Sequence, residues 1–230
     1  MKFIPIIIAA IILESCSTQN PNPNNNGSNT TTLPTVAICN QVWMTKNLDV
    51  STYRNGDAIP QVTDPTAWAN LTTGAWCYYN NDAANGLIYG KLYNWYAVND
   101  VRGLAPTGYH VPSDAEWNKL VKCIDPSADT TCQGCAQSVT AGGAMKETGT
   151  SHWLSPNTGA TNSSGFAGLP GGGRYYNGRF DFIGGLGDWW SSTETSTTYA
   201  LDRLLYYNNT DVLNYGNVKP FGFSVRCLRD

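Results

Sequence analysis

Hydrophobic positions divide the chain into three stretches. Phe3 to Leu13 is an apolar run broken only by Pro5, residues 17–34 hold one aliphatic side chain, and short apolar segments recur from Val36 onward. In that third stretch one helix is clear, Ser113 to Asp125. Ser113 and Glu116 have the spacing of a capping box, and Trp117, Leu120, Val121 and Ile124 follow on one face before Pro126 stops the helix. A second helix is expected over Tyr89 to Val98, where Leu92, Trp95 and Tyr96 recur, with a strand as the alternative that its aromatic rings leave open. Val36 to Trp43, Trp76 to Tyr79, Tyr199 to Tyr207 and Phe223 to Leu228 read as extended. Asn55-Gly56, Asn85-Gly86 and Asn177-Gly178 read as turns. Gly171-Gly172-Gly173 reads as a tight turn, because no Gly-Lys-Ser/Thr follows to make a phosphate loop. The pattern predicts an α+β domain with two main helices, short antiparallel strands and long irregular loops.

The first apolar run is too short to span a bilayer, which takes about 20 residues, and has the length of a signal-peptide core. It ends in Leu13-Glu14-Ser15-Cys16, which resembles the lipobox of bacterial lipoproteins, with Glu14 an unusual residue there. The organisation expected is therefore a signal peptide at 1–15, a lipidated Cys16 heading a tether to residue 34, and one domain over 35–230. Residues 17–34 carry no charge and no aromatic ring. Such a segment buries too little surface to offset its ordering entropy, and its 18 residues span roughly 23 Å root-mean-square. The localisation implied is the cell envelope, with membrane contact through the lipid alone.

Charge narrows the partners. Charged residues are 13% of the 230, 14 basic against 17 acidic, for a net charge of −3. Without an excess positive field, binding to nucleic acid by counterion release is excluded. Asn, Gly, Ser and Thr take the place of charge by satisfying loop backbone locally. Setting Cys16 aside leaves Cys39, Cys77, Cys123, Cys132, Cys135 and Cys227. In an exported protein they read as structural disulfides with some buried thiols, and a local bridge from Cys123 to Cys132 or Cys135 is expected. Cys132-Gln133-Gly134-Cys135 lacks the strand and apolar helix that flank a redox CxxC. His110 and His152, the two histidines, lack ligand spacing to it, so no metal site and no cofactor are expected. His110 is read as satisfying the turn before the helix, and His152 as lying in a loop with no carboxylate at useful spacing.

Several motifs together carry a family resemblance. Val42-Trp43-Met44-Thr45-Lys46-Asn47-Leu48, Tyr89-Gly90-Lys91-Leu92-Tyr93-Asn94-Trp95-Tyr96 and Gly108-Tyr109-His110-Val111-Pro112-Ser113-Asp114-Ala115-Glu116-Trp117 are three of them. Asp188-Trp189-Trp190-Ser191-Ser192-Thr193-Glu194 and Gly222-Phe223-Ser224-Val225-Arg226-Cys227 are two more. From about residue 36 to 230 the chain resembles the Fibrobacter succinogenes major paralogous domain, whose members are exported, frequently as lipoproteins. The resemblance implies a C-type lectin-like fold of the variant shared with formylglycine-generating enzymes, and no defined activity. A formylglycine-generating reaction needs a reactive cysteine pair in the later half of the chain, where only Cys227 lies beyond residue 135. The sulfoxide synthases of similar fold need three histidines. The animal-lectin Glu-Pro-Asn and Gln-Pro-Asp triplets do not occur. Catalysis is not expected.

Residues 187–220 instead read as a contact surface. Tyr and Trp supply rigid area, and Asn and Ser supply adaptable hydrogen bonds, a mixture suited to proteins and to sugars. The contact set expected is Tyr175, Tyr176, Tyr199, Arg203, Tyr206, Tyr207, Asn208, Asn209, Tyr215 and Asn217, with Trp189 and Trp190 mostly core. The function expected is a non-catalytic surface lipoprotein that binds an extracellular glycan or surface protein. The alternatives are a structural or assembly-forming surface protein, or the variable target of a diversity-generating retroelement.

Overall fold

The computed structural model describes residues 33–230. The expected signal peptide, Cys16 and most of the tether lie outside the described residues. Among those described, no helix is long and apolar enough to cross a membrane.

The domain opens with a hairpin, β1 (Thr35–Ile38) against β2 (Gln41–Met44), in place of one extended run from Val36 to Trp43. The reversal falls at Cys39, whose φ is 50°. Next come α1 (Pro65–Ala69), capped by the Asp64 carboxylate, and β3 (Trp76–Cys77), which gives way to a 3₁₀ turn at Tyr79–Asn81. The expected helix over Tyr89 to Val98 is corrected here. Asp82 caps a helix, α2, over Ala83–Tyr89, so Asn85-Gly86 is helical and not a turn. Gly90, at φ 74°, ends it, and β4 (Leu92–Asn94) and α3 (Trp95–Val98) follow. Asn94 accepts from Ala97 N–H at 3.1 Å and so starts α3.

After β5 (Tyr109–His110) comes α4 (Asp114–Ile124), the longest of five helices among the described residues. Its capping box is formed as the sequence indicates: Ser113 accepts from Glu116 N–H, and the Glu116 carboxylate accepts from Ser113 N–H at 2.8 Å. β6 (Cys135–Ser138) and α5 (Ala141–Met145) lead into loops, and β7 (Gly173–Arg174) and β8 (Phe180–Asp181) flank a turn at Asn177-Gly178. A meander of longer strands closes the domain: β9 (Leu186–Glu194), β10 (Tyr199–Tyr206) and β11 (Val212–Val218). Phe223 to Leu228, expected as one strand, divides into β12 (Gly222–Phe223) and β13 (Leu228–Arg229).

These strands make three antiparallel sheets, ordered β1-β2-β13-β5, β6-β11-β10-β9 and β3-β4-β12-β7-β8. The fold class is α+β. First and last strands share a sheet, so the described domain closes on itself. Side chains alternate along β9, which sends the fully buried Trp189 and Trp190 into different cores. Trp189 joins Trp43, Trp117 and Phe166 beneath α4, while Trp190 stacks 4.6 Å from Phe223 in the other cluster. Between the cores, Arg226 is fully buried with no carboxylate partner. Its guanidinium donates to the carbonyls of Met44 and Phe166 and to Asn47 Oδ1, which also accepts from Trp189 Nε1 at 2.8 Å.

Two disulfides form, and one corrects the expected pairing. Cys123 bridges to Cys39, 84 residues away, and Cys132 bridges to Cys135. The first staples the β1–β2 hairpin to α4, a link that local spacing does not reveal. Cys77 and Cys227 are buried thiols, each pushed up to about 12 by burial.

Candidate functional site

The meander β9–β10–β11 has two faces, and alternation assigns each side chain to one of them. Register places Asp202 opposite both Trp190 and Tyr215, Leu204 opposite Asp188, and Tyr206 opposite Leu186. Ala200 pairs with Asn217 on the same face. The other face carries Trp189, Arg203 and Asn214 in one row and meets α4.

Over the first face lies a cavity of about 270 Å³, at the small end for a ligand site. Tyr175, Tyr206, Tyr215, Phe221 and Phe223 give it aromatic walls, and Asn217 and Asp188 give it polar ones. Tyr175 stacks on Phe221 at 5.0 Å, and Phe221 on Phe223 at 5.4 Å, which fixes that wall. Gly172 allows the β7 strand to enter. Its φ is 59°, and a Cβ there would stand 2.6 Å from the Asp181 carbonyl oxygen.

Beneath the cavity two carboxylates are buried, Asp188 at 2% and Asp202 at 0% exposure. They lie diagonally across the β9–β10 pair. Asp202 Oδ2 accepts from Asn217 Nδ2 at 2.6 Å, but Oδ1 of Asp202 and Oδ1 of Asp188 have no partner. Burial pushes Asp202 up to about 8. Burial, with the charge of Asp202 beside it, holds Asp188 well above the ordinary carboxylate range. Asp188 lines the cavity together with Asp181, whereas Asp202 lies outside the lining and is hydrogen-bonded to the lining Asn217.

The structure gathers four of the ten expected contact residues at this cavity: Tyr175, Tyr206, Tyr215 and Asn217. Tyr176 borders it, with its ring 5.7 Å from Phe221. Tyr199 is exposed at the far end of β10. Tyr207 turns away and packs against the core under α4. Asn208 and Asn209 lie in the turn after β10, where the Asn209 carbonyl accepts from Lys146 Nζ at 2.8 Å. That ammonium also donates to the carbonyls of Tyr206 and Thr158, and so fixes the end of the strand that carries Tyr206. Burial draws Lys146 down to about 8.

Arg203 is a correction. It is 1% exposed on the α4 face, where it donates to Asp114 Oδ1, Asn118 Oδ1 and Asn214 Oδ1 at 2.7–2.8 Å. A side chain held there offers nothing to a ligand. Asp188 and Asp202 are what the sequence reading missed. The signal available was an acid inside each of two mostly apolar strand segments, Leu186 to Trp190 and Ala200 to Leu205, the second with Arg203 beside it.

A larger groove of about 760 Å³ lies between the β1–β2 hairpin and α4, where His110 is paired with Glu116 and Asp230, while Lys119, Lys122 and Arg229 in the lining make no ion pair among the described residues. His110 bonds Asp230 Oδ1 at 2.7 Å through Nδ1 and Glu116 Oε1 at 3.0 Å through Nε2. His152 also meets a carboxylate, Glu147 at 2.8 Å, contrary to the expectation from spacing. Among the described residues no cluster of three or more His, Cys, Asp or Glu could hold a metal ion.

No curated protein and no solved structure matches the chain. A family model does, over residues 36–229, and that span takes in the hairpin, α4, the meander and both terminal strands. The chain belongs to the Fibrobacter succinogenes major domain family.

Proposed function

We propose that this protein is a non-catalytic lipoprotein of the cell envelope, anchored through Cys16, whose C-type lectin-like domain presents a ligand pocket. The observation that carries the reading is the convergence of Tyr175, Tyr206, Tyr215 and Asn217 on one aromatic-walled cavity. These residues come from three separate segments of the chain. Their rings offer flat apolar area, and Asn217 offers an orienting amide, the combination that holds a sugar or a protruding side chain. The pocket draws on the two sheets that do not contain β1, the strand to which the tether connects. Anchoring and recognition thus use different parts of the domain.

A glycan array and whole-cell binding with residues 35–230 test the reading. Binding is expected, with at least about a tenfold loss in Tyr206→Ala/Tyr215→Ala, the order lost when two stacking rings are removed. Binding that survives the double change removes the pocket from the account. Silence across glycans and cells favours a structural surface protein. Cys16→Ser is expected to move the full chain from the membrane to the soluble fraction.

A further inference from the structure

The cavity is one-sided in charge. Its lining includes two carboxylates, Asp181 and Asp188, and no lysine, arginine or histidine. Of the buried guanidiniums on neighbouring strands, that of Arg203 is on the opposite face of β10 and committed to Asp114, and that of Arg174 donates to the carbonyls of Val62, Thr63 and Gly178. Lys219, at the end of the meander, is taken by Glu194. Asp181 is partly exposed to solvent and its Oδ1 accepts from the Phe182 N–H at 2.9 Å, whereas Asp188 is buried with an oxygen that has no partner.

A buried carboxylate oxygen with no hydrogen bond is costly, and the large majority of such groups in folded proteins find a partner. Here the orphaned oxygen belongs to a residue that lines the cavity and is 2% exposed. Around it stand the rings of Tyr206, Tyr215 and Phe221, whose π faces attract cations. Aromatic walls alone would accept any flat apolar group. A neutral sugar hydroxyl could meet Asp188, but would leave the buried acid pair to be neutralised by its own proton. An N–H-bearing cation satisfies the lone acceptor and supplies the positive charge that this proton otherwise provides.

We propose that the pocket takes a small organic cation with N–H donors, a primary ammonium or guanidinium, which donates to Asp188 and lies against the Tyr206, Tyr215 and Phe221 rings. The proposal rests on the ligand-pocket reading above and names the chemical class of the ligand. Such a group is carried by an amino sugar or by the end of a lysine or arginine side chain, and the cavity admits either. In forming the contact no bond between heavy atoms changes. A proton leaves the Asp188–Asp202 pair to solvent, and the ligand's positive charge replaces it.

The test uses residues 33–230, the span that forms the closed domain, followed by amide chemical-shift titration. Two pairs of probes separate the two sources: glucosamine against glucose, and Nα-acetyl-lysine amide against Nα-acetyl-norleucine amide. At least one charged probe is expected to shift the amides of Asp188, Tyr206 and Tyr215 and to bind about tenfold or more tighter than its neutral counterpart. Asp188→Asn should reduce that preference to less than about twofold, with a melting temperature at or above that of the parent to show that the domain is intact. Tyr215→Ala, at a position 39% exposed, should weaken the charged probe without unfolding the domain. Neutral probes that bind as tightly as charged ones overturn the cation assignment and leave the pocket standing. A preference that persists in Asp188→Asn overturns the role of Asp188. If no probe binds, the cation proposal fails, and the pocket reading is then decided separately by the glycan and cell binding of the Tyr206→Ala/Tyr215→Ala variant.

Discussion

Asp202 and Arg203 are neighbours in β10, both buried and of opposite charge, and they meet opposite treatment. Arg203 faces α4 and finds Asp114, Asn118 and Asn214. Asp202 lies on the sheet face that carries the cavity and finds Asn217 for one oxygen only. On one side of the sheet, charge is neutralised by a partner and joins strand to helix. On the other, two acids are brought together without a counter-ion, and burial raises both above the ordinary carboxylate range. The first arrangement serves the fold. The second costs stability that the fold alone does not require, and such a cost is more usual at sites that do something else.

The comparison is broken most severely at Arg203. Arg203→Met should lower unfolding stability by about 3–5 kcal/mol, because Asp114 is left as a largely buried charge without its counter-ion. Denaturant midpoints at constant slope would measure it. A loss below about 1 kcal/mol would mean that solvent reaches Asp114 and that the two faces differ less than described.

Lys146 tests the rim of the pocket. Lys146→Met leaves three carbonyls, those of Thr158, Tyr206 and Asn209, without their donor. A fall of about 2–3 kcal/mol is expected, with faster amide exchange confined first to residues 206–211. Uniform acceleration across the domain would show instead that Lys146 supports the whole core.

The smallest effect has the opposite sign. Burial raises the pKa of both acids in the folded state, so the folded chain retains protons that the unfolded chain, with aspartates near about 3.9, releases. The pair's contribution to stability is fully present below about pH 4 and is lost as pH rises through about 8. The charged and titratable groups around the pair are Tyr175, Asp181, Tyr206 and Tyr215 on the cavity side and Arg203 behind. Asp188→Asn should flatten this pH dependence and add about 1–2 kcal/mol near pH 8. Unchanged melting curves from pH 5 to 8 in parent and variant would show that the acids are solvated.

Much of the α4 side was legible in sequence and much of the pocket side was not. The capping box and apolar stripe of α4 are local, so spacing reveals them. The tryptophan pair was correctly placed in the core, because two adjacent large rings in a strand must bury on both faces. The helix expected over Tyr89 to Val98 failed because aromatic recurrence was weighed above the chain's own punctuation. Asp82, Gly90 and Asn94 mark a cap, a stop and a second cap, and a short strand fits between. Asn85-Gly86 misled for a related reason, since a cap three residues earlier commits that dipeptide to a helix. At the pocket, the tyrosines were visible as composition, but only strand register decides that Tyr206 and Tyr215 share a face and that Tyr207 does not. Arg203 was misassigned by that same parity. The Cys39–Cys123 bridge depends on folding across 84 residues and has no local mark.

That bridge also has a mechanical consequence. A load that enters the domain through the chain before Thr35 meets the hairpin first, and Cys39 lies four residues in. From there the force crosses covalently into α4, whose N-terminal turn is tied to β10 through Asp114 and Arg203. Peeling can advance through β1 and no further without breaking a covalent bond or shearing the helix from its sheet. The domain is thus reinforced along the line by which it would be held, and the strands that shape the pocket bear the load last.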